Sequence, residues 1–159
     1  MKKLAMTLAA LALFGSAAQA ETKHKMVGNW LVSSQDDAFD KGGTYSMITG
    51  NEGVMFAIRC LQKTPTFAIG SEEKLTPGQT FTVKLRIDRG DIVEVSAYAL
   101  SEHVIQAEND FKIWKAMAGG KELAVHLENE IGTSEEHVFK IAGAAAALPT
   151  VTRECPITD

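Results

Sequence analysis

The 159-residue chain holds 16 Lys+Arg against 20 Asp+Glu, a net charge of −4, with 45% hydrophobic residues and 2 cysteines. That length suits one domain with a core of ordinary size. An acidic balance without any cluster of Lys and Arg excludes a binder of phosphate backbones, so nucleic acid is not an expected partner.

The chain begins with an export pattern. Lys2 and Lys3 are a short positive region, Leu4 to Phe14 carry no charge, and Ala18-Gln19-Ala20 is a small-x-small cleavage site. Residues 1–20 are therefore predicted to be a signal peptide, and 21–159 a single β-rich exported domain. The apolar run is shorter than the roughly 20 residues a permanent spanning helix needs. No later segment is apolar enough to cross a membrane, so the mature chain is expected to lack a transmembrane segment. The leader holds two lysines and no acid, so its removal leaves 14 basic against 20 acidic residues, net −6. The expected location is the periplasm, with the extracellular space as the alternative.

Most of the remaining chain alternates with a period of two. Gly28 to Ser33 reads as a first strand, and Ser34 to Gly43, with Asp36, Asp37, Asp40 and a Gly pair, as a loop. Thr44 to Thr49 is a second strand, and Asn51-Glu52-Gly53 a hairpin turn into Val54 to Leu61. In that third strand Val54, Phe56, Ile58 and Cys60 share one face, and Met55, Ala57, Arg59 and Leu61 the other. Thr66 to Ile69 is a short fourth strand. After a Pro77-Gly78 turn, Thr80 to Asp88 has the clearest alternation, with Phe81, Val83, Leu85 and Ile87 facing inward. Arg89-Gly90-Asp91 turns the chain into Ile92 to Tyr98, and a further strand falls near His103 to Ala107. The adhesion-like Arg-Gly-Asp triplet is better explained by the turn itself.

The period then changes. Asn109 or Asp110 caps a helix with Phe111, Trp114 and Met117 on one face, and Gly119-Gly120 stops it. Glu122 to Glu128 and Glu136 to Ile141 are strands. Ala142 to Leu148 is a short helix, which Pro149 is expected to break or restart before Cys155. The fold class is mainly β (β-rich α+β): an antiparallel sheet or two-sheet sandwich with one or two short helices and one disulfide.

Cys60 and Cys155 stand 95 residues apart. In an oxidising compartment an even pair is most simply a disulfide. Free thiols or a redox or metal site are the alternatives, but the chain has neither Cys-x-x-Cys nor short-spaced ligands. No metal or cofactor is expected. Asp36, Asp37 and Asp40 lack the spacing of a Ca²⁺ loop. Arg59, if buried, needs a partner, and Asp36 or Asp37 is the first candidate for that ion pair or for a contact surface. Trp30, Phe111 and Trp114 are assigned to the core.

Several of these features together resemble the periplasmic type VI secretion-associated proteins of the VasI-like group. They are Gly28-Asn29-Trp30-Leu31-Val32, Asp36-Asp37, Ile58-Arg59-Cys60, the strand pair from Lys84 to Tyr98, the Phe111–Trp114 helix, the strand Leu123 to Leu127, and a short helix ending at Cys155. The match spans Gly28 to Cys155. It implies a periplasmic accessory domain without enzymatic chemistry, in which Trp30, Asp36, Asp37, Arg59, Cys60 and Cys155 are structural. It departs from the group near Pro149 and in the continuation of the Arg-Cys strand.

The leading expectation is a non-enzymatic periplasmic accessory or binding protein contacting an envelope or secretion-system component, through an edge strand or the loop near Asp36. The alternative is a small exported inhibitor of a cell-wall hydrolase such as lysozyme, for which the acidic charge and Gly43-Thr44-Tyr45 speak. A third class is a hydrolase or metal enzyme built on His103, His126 or His137. The chain has no Gly-x-Ser-x-Gly elbow, His-Glu-x-x-His pair or phosphate loop to select it.

Overall fold

The structure is a computed structural model and describes residues 22–37 and 42–158. The leader and Asp40 lie outside those residues. Ten strands build one antiparallel sheet: β1 (Lys23–Val27), β2 (Trp30–Gln35), β3 (Thr44–Asn51), β4 (Val54–Leu61), β5 (Thr64–Gly70), β6 (Thr80–Ile87), β7 (Ile92–Ser101), β8 (Val104–Ala107), β9 (Glu122–Asn129) and β10 (Ser134–Lys140). Helices α1 (Phe111–Met117) and α2 (Ala144–Thr152) complete it. The spatial order is β1-β2-β3-β4-β5-β8-β7-β6-β9-β10. Of the two architectures expected, the molecule is thus the single sheet.

The sheet rolls up until its far end meets β3. Asn51 Nδ2 donates to Val138 O at 2.9 Å and Thr49 Oγ1 to Lys140 O at 3.1 Å. These bonds occupy carbonyls along β10 with side chains instead of a backbone ladder. Inside the roll, Phe56 packs on Phe67 and Phe139 at ring-centroid distances of 5.5 and 6.0 Å. The alternating faces of β4 and β6 supply the centre, and Phe56, Ile58, Cys60, Val83 and Leu85 are fully buried. Each such side chain stabilises the fold by about 1.5–3 kcal/mol through removal of apolar area from water.

A second seam joins the β1–β2 turn to the entry of α2. Asn29 N donates to Ala142 O at 2.9 Å, and Trp30 Nε1 to Ile141 O at 3.1 Å. The backbones approach so closely that a Cβ on Gly28 would sit 2.3 Å from Ala142 O. Gly28 and Gly143 also have positive φ, +59° and +91°. Glycine is required at both positions on sterics and on conformation.

Two expectations are corrected in the C-terminal half. Pro149 neither breaks nor restarts a helix, because α2 runs through it to Thr152. Proline removes one helical N–H and crowds the preceding turn. Here Ala147, Leu148 and Val151 are buried around it, and the Cys155 bridge anchors the chain just beyond. The strand expected over Glu136 to Ile141 instead runs from Ser134 to Lys140 as β10.

Candidate functional site

The expected disulfide is present. Cys60 on β4 and Cys155 after α2 are bonded, with Cα atoms 5.9 Å apart. The bridge fixes the end of α2 to the centre of the sheet and sets the geometry of a cleft between α2 and the edge of the roll.

That cleft, about 420 Å³, lies between β1 and α2 and includes Lys23, Lys25, Ser34, Tyr45, Pro149 and Arg153 in its walls. The antiparallel register pairs Lys23 with Ser34 and Lys25 with Val32, so both lysines share the face of the buried Val32. Arg153 closes the cleft. Its guanidinium donates to Asp36 Oδ1 at 2.5 Å and to the Tyr45 hydroxyl at 2.7 Å, and stands 4.8 Å from the Tyr45 ring centroid. The Tyr45 hydroxyl in turn donates to Asp36 at 2.6 Å. The hydrogen bonds from Tyr45 and then Arg153 hold the Asp36 carboxyl below its usual range. Burial and then the bond to Asp36 push the Tyr45 phenol up, so it stays a neutral donor.

The expected pairing of Arg59 with Asp36 is therefore corrected. The carboxylate of Asp36 is taken by Arg153, which is 117 residues away. Arg59 points to the opposite, convex face of the sheet, where its guanidinium donates to Gln106 Oε1 at 2.9 Å. Strand alternation separates the two: Cys60 faces in, so Arg59 faces out. Asp37 follows Asp36 at the mouth of the loop after β2. Gly43-Thr44-Tyr45 is not a protruding loop, since Tyr45 is 2% exposed within β3.

Trp30 and Trp114 are fully buried, and Phe111 packs edge-on against Trp114 at 5.3 Å. The histidines fall in separate places. His103 Nδ1 lies 3.3 Å from Ser71 O, His126 is on the convex face of β9, and His137 Nε2 is 3.2 Å from Glu135. Among the described residues no three His, Cys, Asp or Glu side chains form a ligand set, and no helix is long and apolar enough to cross a membrane.

Sequence reasoning misses β1 and hence the cleft. Its residues Lys23-His24-Lys25-Met26 are exposed on both faces, so the alternation that marks other strands is missing. The one local signal is a two-residue Gly28-Asn29 turn ahead of Trp30, the composition of a tight hairpin.

No family model matches the sequence, and no curated protein matches it. Among solved structures, invasion associated protein B from Bartonella henselae has a similar fold, with a TM-score of 0.56 at 13% identity. The alignment covers 82% of this chain and 96% of that one. At that identity the likeness is one of fold.

Proposed function

We propose that this is an exported, periplasmic accessory protein that works by binding, taking an extended acidic segment of an envelope protein along β1. The observation behind this reading is the state of the two sheet edges. The β10 edge is capped by Asn51 and Thr49. Among the described residues, β1 pairs only with β2, and its outer side is open. An open edge adds a strand through main-chain hydrogen bonds, and neighbouring side chains select which strand. Here Lys23 and Lys25 lie on one side of the edge, in a chain that is acidic overall. Lysines on an edge oppose pairing with a second copy of that edge and favour a strand of opposite charge.

The leader-like residues 1–20 and the disulfide support export. The resemblance to the VasI-like group supports a secretion-associated setting. The fold shared with invasion associated protein B is compatible with an exported accessory role.

The test uses oxidised protein as bait in periplasmic extract, beside a Lys23→Glu/Lys25→Glu double variant and a Glu94→Lys control on the far side of the sheet. The expected result is one envelope protein held by the wild type and the control, lost with the double variant, and weakened by salt. Capture that ignores the β1 reversal, or no capture, refutes the reading.

A further inference from the structure

The convex face of the sheet has a second cleft, about 480 Å³, over β5, β8, β7 and the start of β6. That is the size of a small-molecule site. Its walls include Thr66, Tyr98, Gln106, Glu108 and Asn109. Arg59 adjoins it, as the cross-strand neighbour of Thr66.

Three of the four buried polar atoms that lack a hydrogen-bond partner among the described residues gather here: Arg59 Nε, Thr66 Oγ1 and Asn109 Oδ1. Thr66 is only 9% exposed. Buried polar groups are nearly always partnered, and each orphan costs about 1–3 kcal/mol. Arg59 is the more telling case. It is half-buried and desolvation lowers its pKa, yet among the described residues no carboxylate pairs with it. A desolvated cation without a counter-charge is expensive.

The hydrogen-bond order gives the missing partner its chemistry. Arg59 occupies Gln106 Oε1, which leaves Gln106 Nε2 to donate to the Tyr98 hydroxyl at 2.9 Å. The tyrosine oxygen is thereby an acceptor, and its own O–H is free to donate into the cleft. A chain of this kind, with a guanidinium at its head, strengthens the terminal donor. The cleft thus offers one hydroxyl donor, that of Tyr98, beside one cation, Arg59, whose Nε is sealed beneath together with Thr66 Oγ1.

We propose that this cleft binds a small organic monocarboxylate, whose carboxylate is taken by the Tyr98 hydroxyl and the Arg59 guanidinium. One guanidinium balances one negative charge. A phosphate dianion would leave excess charge facing Glu108 in the wall. The exposed Tyr98 ring supplies an apolar surface for the rest of the ligand. The site lies on a different face from β1, so it stands or falls independently of the strand-binding reading.

The test is a titration of ¹⁵N-labelled oxidised protein with benzoate, followed at the Arg59 Nε–H and at the amides of Thr66 and Gln106, with benzamide and inorganic phosphate in parallel. Benzoate should give saturable shifts with a dissociation constant on the order of millimolar, and benzamide should bind at least about tenfold more weakly, since charge-assisted hydrogen bonds are roughly twice as strong as neutral ones. Arg59→Gln should abolish the shifts at the two amides, and Tyr98→Phe should weaken binding about three- to tenfold. Arg89→Gln, which removes a cation in an exposed turn, should leave it unchanged. Absence of saturation by benzoate overturns the proposal. So does equal binding of benzamide, equal binding of phosphate, or full binding by both Arg59→Gln and Tyr98→Phe.

Discussion

Arg153 and Arg59 reverse the usual relation between burial and pairing. Arg153 has a side chain 59% exposed and sits on Asp36, Tyr45 and Glu154. Arg59 is half-buried and has a neutral glutamine. Burial makes a partner more necessary, because solvent no longer screens or hydrates the charge. The α2 end of the molecule is therefore a finished structural joint, whereas the convex face holds an unmet electrostatic demand. A fold that tolerates such a demand gives up some stability for a ligand.

Four perturbations break or sharpen this contrast. The largest effect belongs to the joint. Cys60→Ser/Cys155→Ser should destabilise by up to about 4–5 kcal/mol, as a long loop is released in the unfolded chain, read from urea unfolding. Next comes the glycine seam: Gly28→Ala forces a Cβ into Ala142 O and should cost about 2–3 kcal/mol, measured the same way.

Third, and opposite in sign, Arg59→Met should raise stability by about 1 kcal/mol, because it removes an unpaired, desolvated charge. A loss in thermal unfolding would mean that Arg59 is a structural residue. The smallest effect is that of Asp36. Its folded pKa lies below the ordinary value of 3.8, so its contribution is present above that pH and is lost as pH falls through the folded value. Asp36→Asn should leave stability at neutral pH slightly lower and flatten the acid limb below about pH 4, followed by unfolding at several pH values.

The same contrast separates what is legible in the sequence from what is not. β4 is legible to the residue and β6 to within one, because in both every second residue is an apolar side chain turned to the core. The Asp110 cap and the Phe111–Trp114 helix are legible through spacing, and the disulfide through residue count and expected compartment. Three features are not. β1 buries neither face. β5 begins at Thr64, two residues before its apolar signal, since the hairpin turn ahead of it is Gln62-Lys63, both at positive φ, 50° and 67°. Nothing in that pair announces a left-handed turn, where Gly or Asn is usual. Finally, local sequence puts Asp36 and Arg59 on similar ground, and only the rolled sheet decides that the aspartate meets residue 153. The Arg59–Gln106–Tyr98 chain links β4 to the β7–β8 hairpin, and no spacing rule anticipates it.

The disulfide also fixes how the molecule meets proteolysis. The bridge closes a ring of chain from residue 60 to 155, and β5 to β10 and both helices lie inside it. The turns at Arg89–Asp91 and Glu130–Thr133 belong to that ring. A single cut in either turn opens the ring without releasing a piece. The nicked protein remains one covalent body, with the mass of the intact chain plus one water, and separates into two fragments only when thiol is added. In an oxidising compartment, damage of this kind leaves the β1 edge and the α2 joint attached to the same scaffold.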